Sequence, residues 1–176
     1  AGRFLVTPIL LAGVVGARLA TLEGAREVAG RIIAGTLTVG LAIPRVAEGY
    51  YLIDADQAEL VLLVECDRLA LLPRDGFTGV AAARCIDGTV TFAAAGLGNA
   101  VGGVTARDAH MPELHDHLSL LIASMLVGAA EAVRDLTVAH ASERSQFGQK
   151  IGSFQAVSHP LADMAVRCEA ALSQAK

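Results

Sequence analysis

Four residues that together could bind an anionic group lie within five positions of the chain: Arg144, Gln146, Phe147 and Gly148. A guanidinium offers paired N–H donors at fixed geometry to phosphate oxygens, and glycine accepts backbone conformations that other residues resist. The upstream apolar periodicity predicts a long helix that ends near Arg144, just before a glycine-broken turn. On the residues alone, a surface arginine that satisfies the carbonyl groups at the end of this helix is the better-supported interpretation.

The residues around this turn resemble the helical hairpin of the acyl-CoA dehydrogenases. The pattern Arg-x-Gln-Phe-Gly at 144–148 is followed by Ile151, by Phe-Gln-x-Val at 154–157 and by Leu-Ala-Asp-Met at 161–164. The resemblance implies that the hairpin belongs to a C-terminal helical domain and that its turn helps to hold FAD. It reverses the preference for Arg144, which is then expected to bind the FAD diphosphate.

The resemblance implies further contacts with the cofactor. Gln146 and Phe147 are expected to contact the diphosphate and adenosine portion of FAD, commonly across a subunit interface. Phe154 and Gln155 match positions beside the adenine end, although Phe154 suits a core position equally well. Gly148 is expected to give the turn its backbone conformation.

The substrate side of the resemblance is incomplete. The family often carries Asp-x-x-Arg at the start of the long helix, in contact with the CoA part of the substrate, and here Asp116 keeps the acid while Ser119 replaces the arginine. The family reaction removes a proton from the α carbon of an acyl-CoA thioester and passes a hydride from the β carbon to the flavin. Its base is usually a late glutamate, expected beyond Lys176, or in a minority a residue at the position of Leu118. Leucine cannot take a proton, so no catalytic residue is expected in this chain.

Further departures lie nearer the middle of the chain. The Thr-Glu-Pro segment that helps to line the flavin in the family corresponds to Ala42-Ile43-Pro44, and the strand that usually ends in an aromatic followed by Ile-Thr or Ile-Ser is replaced near 51–54. Some actinobacterial enzymes of the family, assembled from two unlike subunits, are similar in this respect. The sequence therefore predicts a degenerate or truncated acyl-CoA dehydrogenase subunit that contributes part of the FAD site. It is expected to act on an acyl-CoA thioester, of fatty or sterol type, within a homo- or hetero-oligomer.

Two other functions stay open at this point. A non-catalytic subunit that stabilises a catalytic partner is favoured by Leu118 and Ser119, which lack the chemistry of the family positions they occupy. An unrelated helical bundle with a β insertion would have to treat the match at 140–164 as chance.

Composition and charge argue against several classes of protein. A net charge of −4 gives no basic face for nucleic acid, and 53% hydrophobic content is ample for a core. The three cysteines, Cys66, Cys85 and Cys168, have neither the number of a disulfide framework nor the spacing of a zinc site. We therefore expect reduced thiols, no metal and a cytoplasmic location. The apolar run 4–17 is too short to span a bilayer, and we expect packed helices there rather than a signal peptide or a membrane anchor.

The elements predicted to position these residues make an α+β chain in three parts. Residues 1–35 end an N-terminal helical domain, with two helices meeting near Thr21 as an N-cap. Residues 36–107 form a small antiparallel β middle domain, and 108–176 begin a C-terminal helical bundle that starts at Pro112. The strands are predicted at 36–39, 60–64, 68–72, 79–84 and 89–92, with Asp75-Gly76 and Asp87-Gly88 in the tight turns. The glycine-rich run 96–103 is predicted to be a loop or edge rather than a phosphate cradle.

Apolar residues at helical spacing predict the buried faces of the two C-terminal helices. The first stripe consists of Leu118, Ile122, Met125, Ala129, Val133 and Leu136. The second stripe consists of Phe154, Val157, Leu161, Met164, Ala165, Cys168 and Leu172. Pro160 lies within the second helix and predicts a kink there, because proline lacks the N–H donor and crowds the carbonyl of Ala156.

Overall fold

The computed structural model describes residues 8–46, 48–85, 88, 90–98 and 102–174, with side chains from Leu10 onward. Two compact units divide the described chain at 119/120, one reaching from residue 8 to Ser119 and the other from Leu120 to 174. The three-part division at residues 35 and 107 stays a prediction.

The first unit opens with two helices, α1 (Pro8–Leu22) and α2 (Arg26–Ile33). Gly16 allows α1 to approach the sheet closely, because a Cβ built there would lie 3.0 Å from the Leu71 side chain. The predicted N-cap at Thr21 is wrong: Thr21 lies inside α1, and its hydroxyl donates to the Ala17 carbonyl at 2.8 Å. The helices meet instead around Gly24, at φ 81°. A hydroxyl that bonds back one turn is compatible with a helix interior as well as with a cap, so the residue type did not decide between them.

One seven-stranded sheet fills most of the first unit. Its strands are β1 (Val39–Pro44), β2 (Tyr50–Ile53), β3 (Leu60–Val64), β4 (Leu69–Pro73), β5 (Phe77–Ala82), β6 (Phe92–Leu97) and β7 (Val104–Thr105). The order across the sheet is β5-β6-β2-β1-β3-β4-β7. The α+β class is confirmed, but the wholly antiparallel sheet was wrong, because β1 pairs with β3 in parallel, Val39 opposite Leu60.

The core face of this sheet is made of small and branched apolar residues. Ala42, Leu52, Val61, Leu63 and Ala95 are all buried in one cluster. The continuous apolar run 60–64 was correctly predicted to be a buried strand. The prediction missed β2, β7 and most of β1 and β6. In β2 the adjacent Tyr50 and Tyr51 are half-buried and Leu52 is buried, and β6 includes Gly96 from the run predicted to be a loop.

The predicted tight turns differ in their outcomes. Asp75 and Gly76 lie in a short 3-10 turn, Arg74–Gly76, that connects β4 to β5. Those two strands are not neighbours in the sheet, so this turn does not close a hairpin. Asp87 lies outside the described residues.

The longest element is α3 (Met111–Glu143), which begins in the first unit and continues into the second. In the first unit, Leu114 and Leu118 on this helix are buried. Arg18 on α1 forms an ion pair with Glu113. Pro112 was correctly predicted to lie at the start of this helix.

The second unit contains the rest of α3, a tight turn and α4 (Gln155–Gln174). The second apolar stripe is confirmed, since all seven of its members are buried or half-buried. The first stripe is wrong for most of its length, because Ile122, Val133 and Leu136 are exposed. The half-buried side of α3 is turned by about one residue and includes Leu121 and Gly128. Helix α4 runs through Pro160, and the kink stays a prediction.

An ion-pair cluster lies midway along the second unit. Arg134 is 2.9 Å from Asp135 and 3.6 Å from Glu169 of α4, and its side chain is half-buried. The Arg134–Glu169 pair connects the two helices. The stretch Asp108–Glu143 is long and apolar enough to cross a membrane by length and composition alone, and little of it is buried. A helix of a soluble bundle passes the same test.

Candidate functional site

The turn between α3 and α4 is a two-residue β-hairpin. Its strands are β8 (Ser145–Gln146) and β9 (Gln149–Lys150), with Gln146 opposite Gln149. The two loop residues, Phe147 and Gly148, have φ values of 52° and 80°. Two successive positive φ values are the requirement of a type I′ turn, whose twist matches that of the strands it joins. Gly148 meets that requirement without strain, as its residue type predicted.

Phe147 meets the same requirement at a cost. A bulky side chain rarely adopts a positive φ, and the left-handed conformation costs about 1–2 kcal/mol for an L residue. The Phe147 side chain is 92% exposed, so burial does not offset this cost. Its ring meets only Phe154 among the aromatic residues of the described chain, edge to face, with centroids 6.3 Å apart. A strained backbone that holds an exposed aromatic ring is an outlier from which function can be inferred.

The backbone around Arg144 is fixed on both sides. Its N–H donates to the His140 carbonyl at 2.9 Å, which continues the last turn of α3. Its own carbonyl accepts from the Ile151 N–H, also at 2.9 Å. The Lys150 ammonium donates to the Glu143 carbonyl at 2.7 Å, directly before Arg144. The Arg144 side chain itself is exposed, and no ion pair or hydrogen bond of its guanidinium is found within the described residues.

The entry into α4 is closely packed against the end of α3. A Cβ built on Gly152 would lie 3.1 Å from the carbonyl oxygen of Ala141, which is buried. The Ser153 hydroxyl donates to the Lys150 carbonyl at 2.6 Å. Helix α4 then begins at Gln155, with the Phe154 carbonyl accepting from the N–H groups of 157 and 158. Gln155 lies exposed in the first helical turn, where N–H groups have no acceptor within the helix.

The structure places six of the seven predicted site residues in the β-hairpin or in the segments that join it to α3 and α4. They are Arg144, Gln146, Phe147, Gly148, Phe154 and Gln155. Asp116 is apart from them, exposed near the other end of α3 and within the first unit. The cofactor and substrate roles of all seven stay predictions.

Sequence reasoning missed Lys150. A two-residue loop at 147 and 148 pairs position 150 with position 145, next to Arg144, so a cation at 150 was the available signal.

The strongest electrostatic perturbation lies in the first unit, at Glu23. The Arg107 backbone N–H, then the His110 ring, lower the pKa of this carboxyl to about 2, against partial desolvation that raises it. The Arg107 side chain also binds it, at 2.7 Å. This cluster connects the end of α1 to the segment that precedes α3, which is a structural role. No group of three or more His, Cys, Asp or Glu side chains suited to a metal ion occurs in the described part of the chain.

Comparisons with known proteins agree on one family. The family model for the acyl-CoA dehydrogenase C-terminal domain matches residues 113–175, which include α3, the hairpin and α4. The chain is 41% identical over 75 residues to acyl-CoA dehydrogenase IpdE2 of Mycolicibacterium smegmatis, covering 43% of this chain and 24% of that protein. It is 30% identical over 150 residues to acyl-CoA dehydrogenase FadE34 of Mycobacterium tuberculosis, covering 85% of this chain and 20% of that protein.

Solved structures show the same fold. A glutaryl-CoA dehydrogenase from Mycobacterium smegmatis in complex with FADH2 aligns with a TM-score of 0.70 over 95% of this chain and 54% of its own, at 15% identity. The chain thus spans about half the length of that structure, and a quarter or less of the two curated relatives.

Proposed function

We propose that this chain, which belongs to the acyl-CoA dehydrogenase family, is a subunit of an FAD-dependent acyl-CoA dehydrogenase. In this proposal it supplies the part of the cofactor site that holds the diphosphate and adenosine. The reaction would be the α,β-dehydrogenation of an acyl-CoA thioester. When bound, FAD would supply the acceptor for the hydride that leaves the β carbon.

The observation that carries this proposal is the combination at the hairpin. Arg144 has a fixed backbone and a guanidinium with no partner among the described residues. Such a group is organised in advance to bind an anion, and its planar fork matches two phosphate oxygens. Phe147, three residues later, holds an exposed ring in a conformation that its own residue type resists. A diphosphate joined to an adenine ring is the part of FAD that these two groups suit.

The other predicted site residues complete the proposed contacts with the cofactor and the substrate. The Gln146 amide would donate to phosphate or ribose oxygens, and Gln155 would contact the adenine end from the first turn of α4. Phe154 supports the Phe147 ring from one edge, at 6.3 Å. Gly148 maintains the turn. Asp116 would contact the CoA portion, without the arginine that often accompanies it in the family.

The proton-abstracting base is proposed to come from other sequence, either more of the same protein or a partner subunit. Leu118 occupies one of the two family positions for a base, and it is apolar and buried. The free cysteines, Cys66, Cys85 and Cys168, are compatible with the cytoplasmic location that we propose. We expect the exposed apolar side of α3 to be covered by other helices rather than by lipid, because the same helix carries the Arg134 ion-pair cluster within its apolar stretch.

A second candidate function is a non-catalytic subunit that stabilises a catalytic partner of the same family. Leu118 and Ser119 favour it, because neither supplies the chemistry of the family positions. The two candidates differ in whether flavin is bound through Arg144.

The visible absorption spectrum of the purified chain, alone and with its co-expressed neighbouring gene product, is the first test. A flavin band confined to the joint sample supports a shared site in a hetero-oligomer, and a band in the single-chain sample supports a site built from copies of this chain. Arg144→Ala should then lower flavin occupancy while helical content stays unchanged. Arg167→Ala, which removes an exposed arginine on α4, is the matched control. Occupancy that is the same in both variants as in the wild type would refute the role of Arg144.

A further inference from the structure

We infer that Lys150 is a positioning residue for Arg144: its ammonium fixes the peptide that carries Arg144 and thereby sets the affinity of the hairpin for a diphosphate. This inference rests on the proposed function. It concerns a residue outside the motif that identified the site.

Both the side chain and the backbone carbonyl of Lys150 form hydrogen bonds. Its side chain crosses the hairpin and donates to the Glu143 carbonyl at 2.7 Å, while its backbone carbonyl accepts from the Ser153 hydroxyl at 2.6 Å. Its β9 position is directly opposite Ser145. One residue thus connects the last carbonyl of α3, through its side chain, with the outgoing strand and the approach to α4, through its backbone.

The consequence for Arg144 follows from where these bonds fall. The Glu143 carbonyl belongs to the peptide unit whose nitrogen is that of Arg144, so Lys150 fixes that unit from the carbonyl side. The N–H of the same unit is already bonded to the His140 carbonyl. A peptide plane held at both its oxygen and its N–H resists rotation, and the Ile151 N–H holds the Arg144 carbonyl on the other side of the residue; together these bonds restrict the Cα–Cβ direction of Arg144.

Charge adds to this geometric effect. The end of α3 carries the negative pole of the helix, which attracts the guanidinium of Arg144 back toward its own carbonyls. Lys150 occupies the Glu143 carbonyl in its place and neutralises part of that pole. The Arg144 guanidinium is thereby left available to an external anion.

The test is a double-mutant cycle on FAD affinity, measured by quenching of flavin fluorescence on the full chain, with its co-expressed partner where flavin binding requires it. Lys150→Met keeps the apolar stem and removes the ammonium. We expect it to weaken FAD binding about fivefold to tenfold, which is less than the loss of a charge-assisted hydrogen bond to FAD itself, because the ammonium acts through Arg144. Binding of FMN, which lacks the diphosphate linkage and adenosine, should not change. Lys150→Arg should restore most of the FAD affinity.

The double variant distinguishes positioning from an independent contact. If Lys150 acts through Arg144, Lys150→Met should cost little further affinity in the Arg144→Ala background. Two results would overturn the inference. One is that the losses of FAD affinity are additive in the double variant. The other is that Lys150→Met binds FAD as tightly as the wild type and the control Arg167→Met. If Arg144→Ala itself binds FAD as the wild type does, it is the proposed function that fails.

Discussion

Replacing Phe147 with glycine separates what the turn needs from what the proposed cofactor needs. The glycine removes the strain of a left-handed phenylalanine, about 1–2 kcal/mol. It loses the edge-to-face contact with Phe154, worth about 0.5–1.5 kcal/mol, and adds about 0.5–1 kcal/mol of backbone entropy to the unfolded chain. Almost no burial is lost, because the ring is 92% exposed. These effects offset one another, so the free energy of unfolding should change by no more than about 1 kcal/mol.

The effect on FAD should be much larger. Stacking of a base on an aromatic side chain contributes about 1–3 kcal/mol, so the variant should bind FAD more weakly by a factor of roughly 5 to 150. Fluorescence titration gives the affinity, and thermal unfolding followed by circular dichroism gives the stability. Phe147→Tyr keeps a ring and should bind FAD nearly as the wild type does. Val166→Ala, which shortens another exposed apolar side chain of the same unit, is the control for loss of apolar surface.

One result would refute this reasoning. If Phe147→Gly lowers the melting temperature by many degrees and leaves FAD affinity unchanged, the ring stabilises the hairpin and has no part in binding. The exposed ring and its positive φ would then require another explanation.

Three further changes test the structure around the site. Gly148→Ala should destabilise the hairpin by about 1–2 kcal/mol through strain at φ 80° alone, because a Cβ there meets nothing within 4 Å; an unchanged melting temperature would contradict this. Gly49→Ala should lower the free energy of unfolding by more than about 3 kcal/mol, since its Cβ would lie 2.5 Å from the Ala95 carbonyl oxygen at φ 94°. A soluble variant with wild-type stability would be evidence against the β1–β2 turn as described. Glu23→Gln should reduce stability at neutral pH by about 1–3 kcal/mol. Because the folded-state pKa of Glu23 is lowered from 4.5 to about 2, its contribution is complete above pH 4.5 and is lost as the pH falls toward 2. Acid melts of wild type and variant should therefore converge, and curves that stay parallel would disprove the assignment.

The turn after α3 could be predicted from the sequence because it forms from residues adjacent in the chain, and Gly148 interrupts the helical pattern there. The assignment of Arg144 and Gln146 to a cofactor site came from the family resemblance and stays a prediction. The conformation of Phe147 could not be predicted in the same way. Local propensity disfavours a positive φ for phenylalanine, and only the two-residue loop between β8 and β9 imposes it.

The sheet illustrates a different limit. Strand β3 could be predicted because five consecutive apolar residues indicate a strand buried on both faces, whichever strands it pairs with. Its parallel pairing with β1 is non-local and leaves no mark on either strand by itself. Strand β6 was missed because its alanines and Gly96 have little intrinsic preference for strands, so the pairing with β2 and β5 decides its conformation.

Helix α3 shows why periodicity can identify an apolar face without identifying what covers it. The predicted stripe is real as a pattern, and α4 carries a comparable stripe that is buried or half-buried throughout. Yet Val133 and Leu136 are exposed. An exposed apolar face of this size is unfavourable in water unless another surface covers it. Since residues 113–175 match the C-terminal helical domain of acyl-CoA dehydrogenases, we expect further helices of that domain, from the same protein or a partner, to cover this face. This expectation accounts for an apolar pattern that extends beyond the residues buried in this chain.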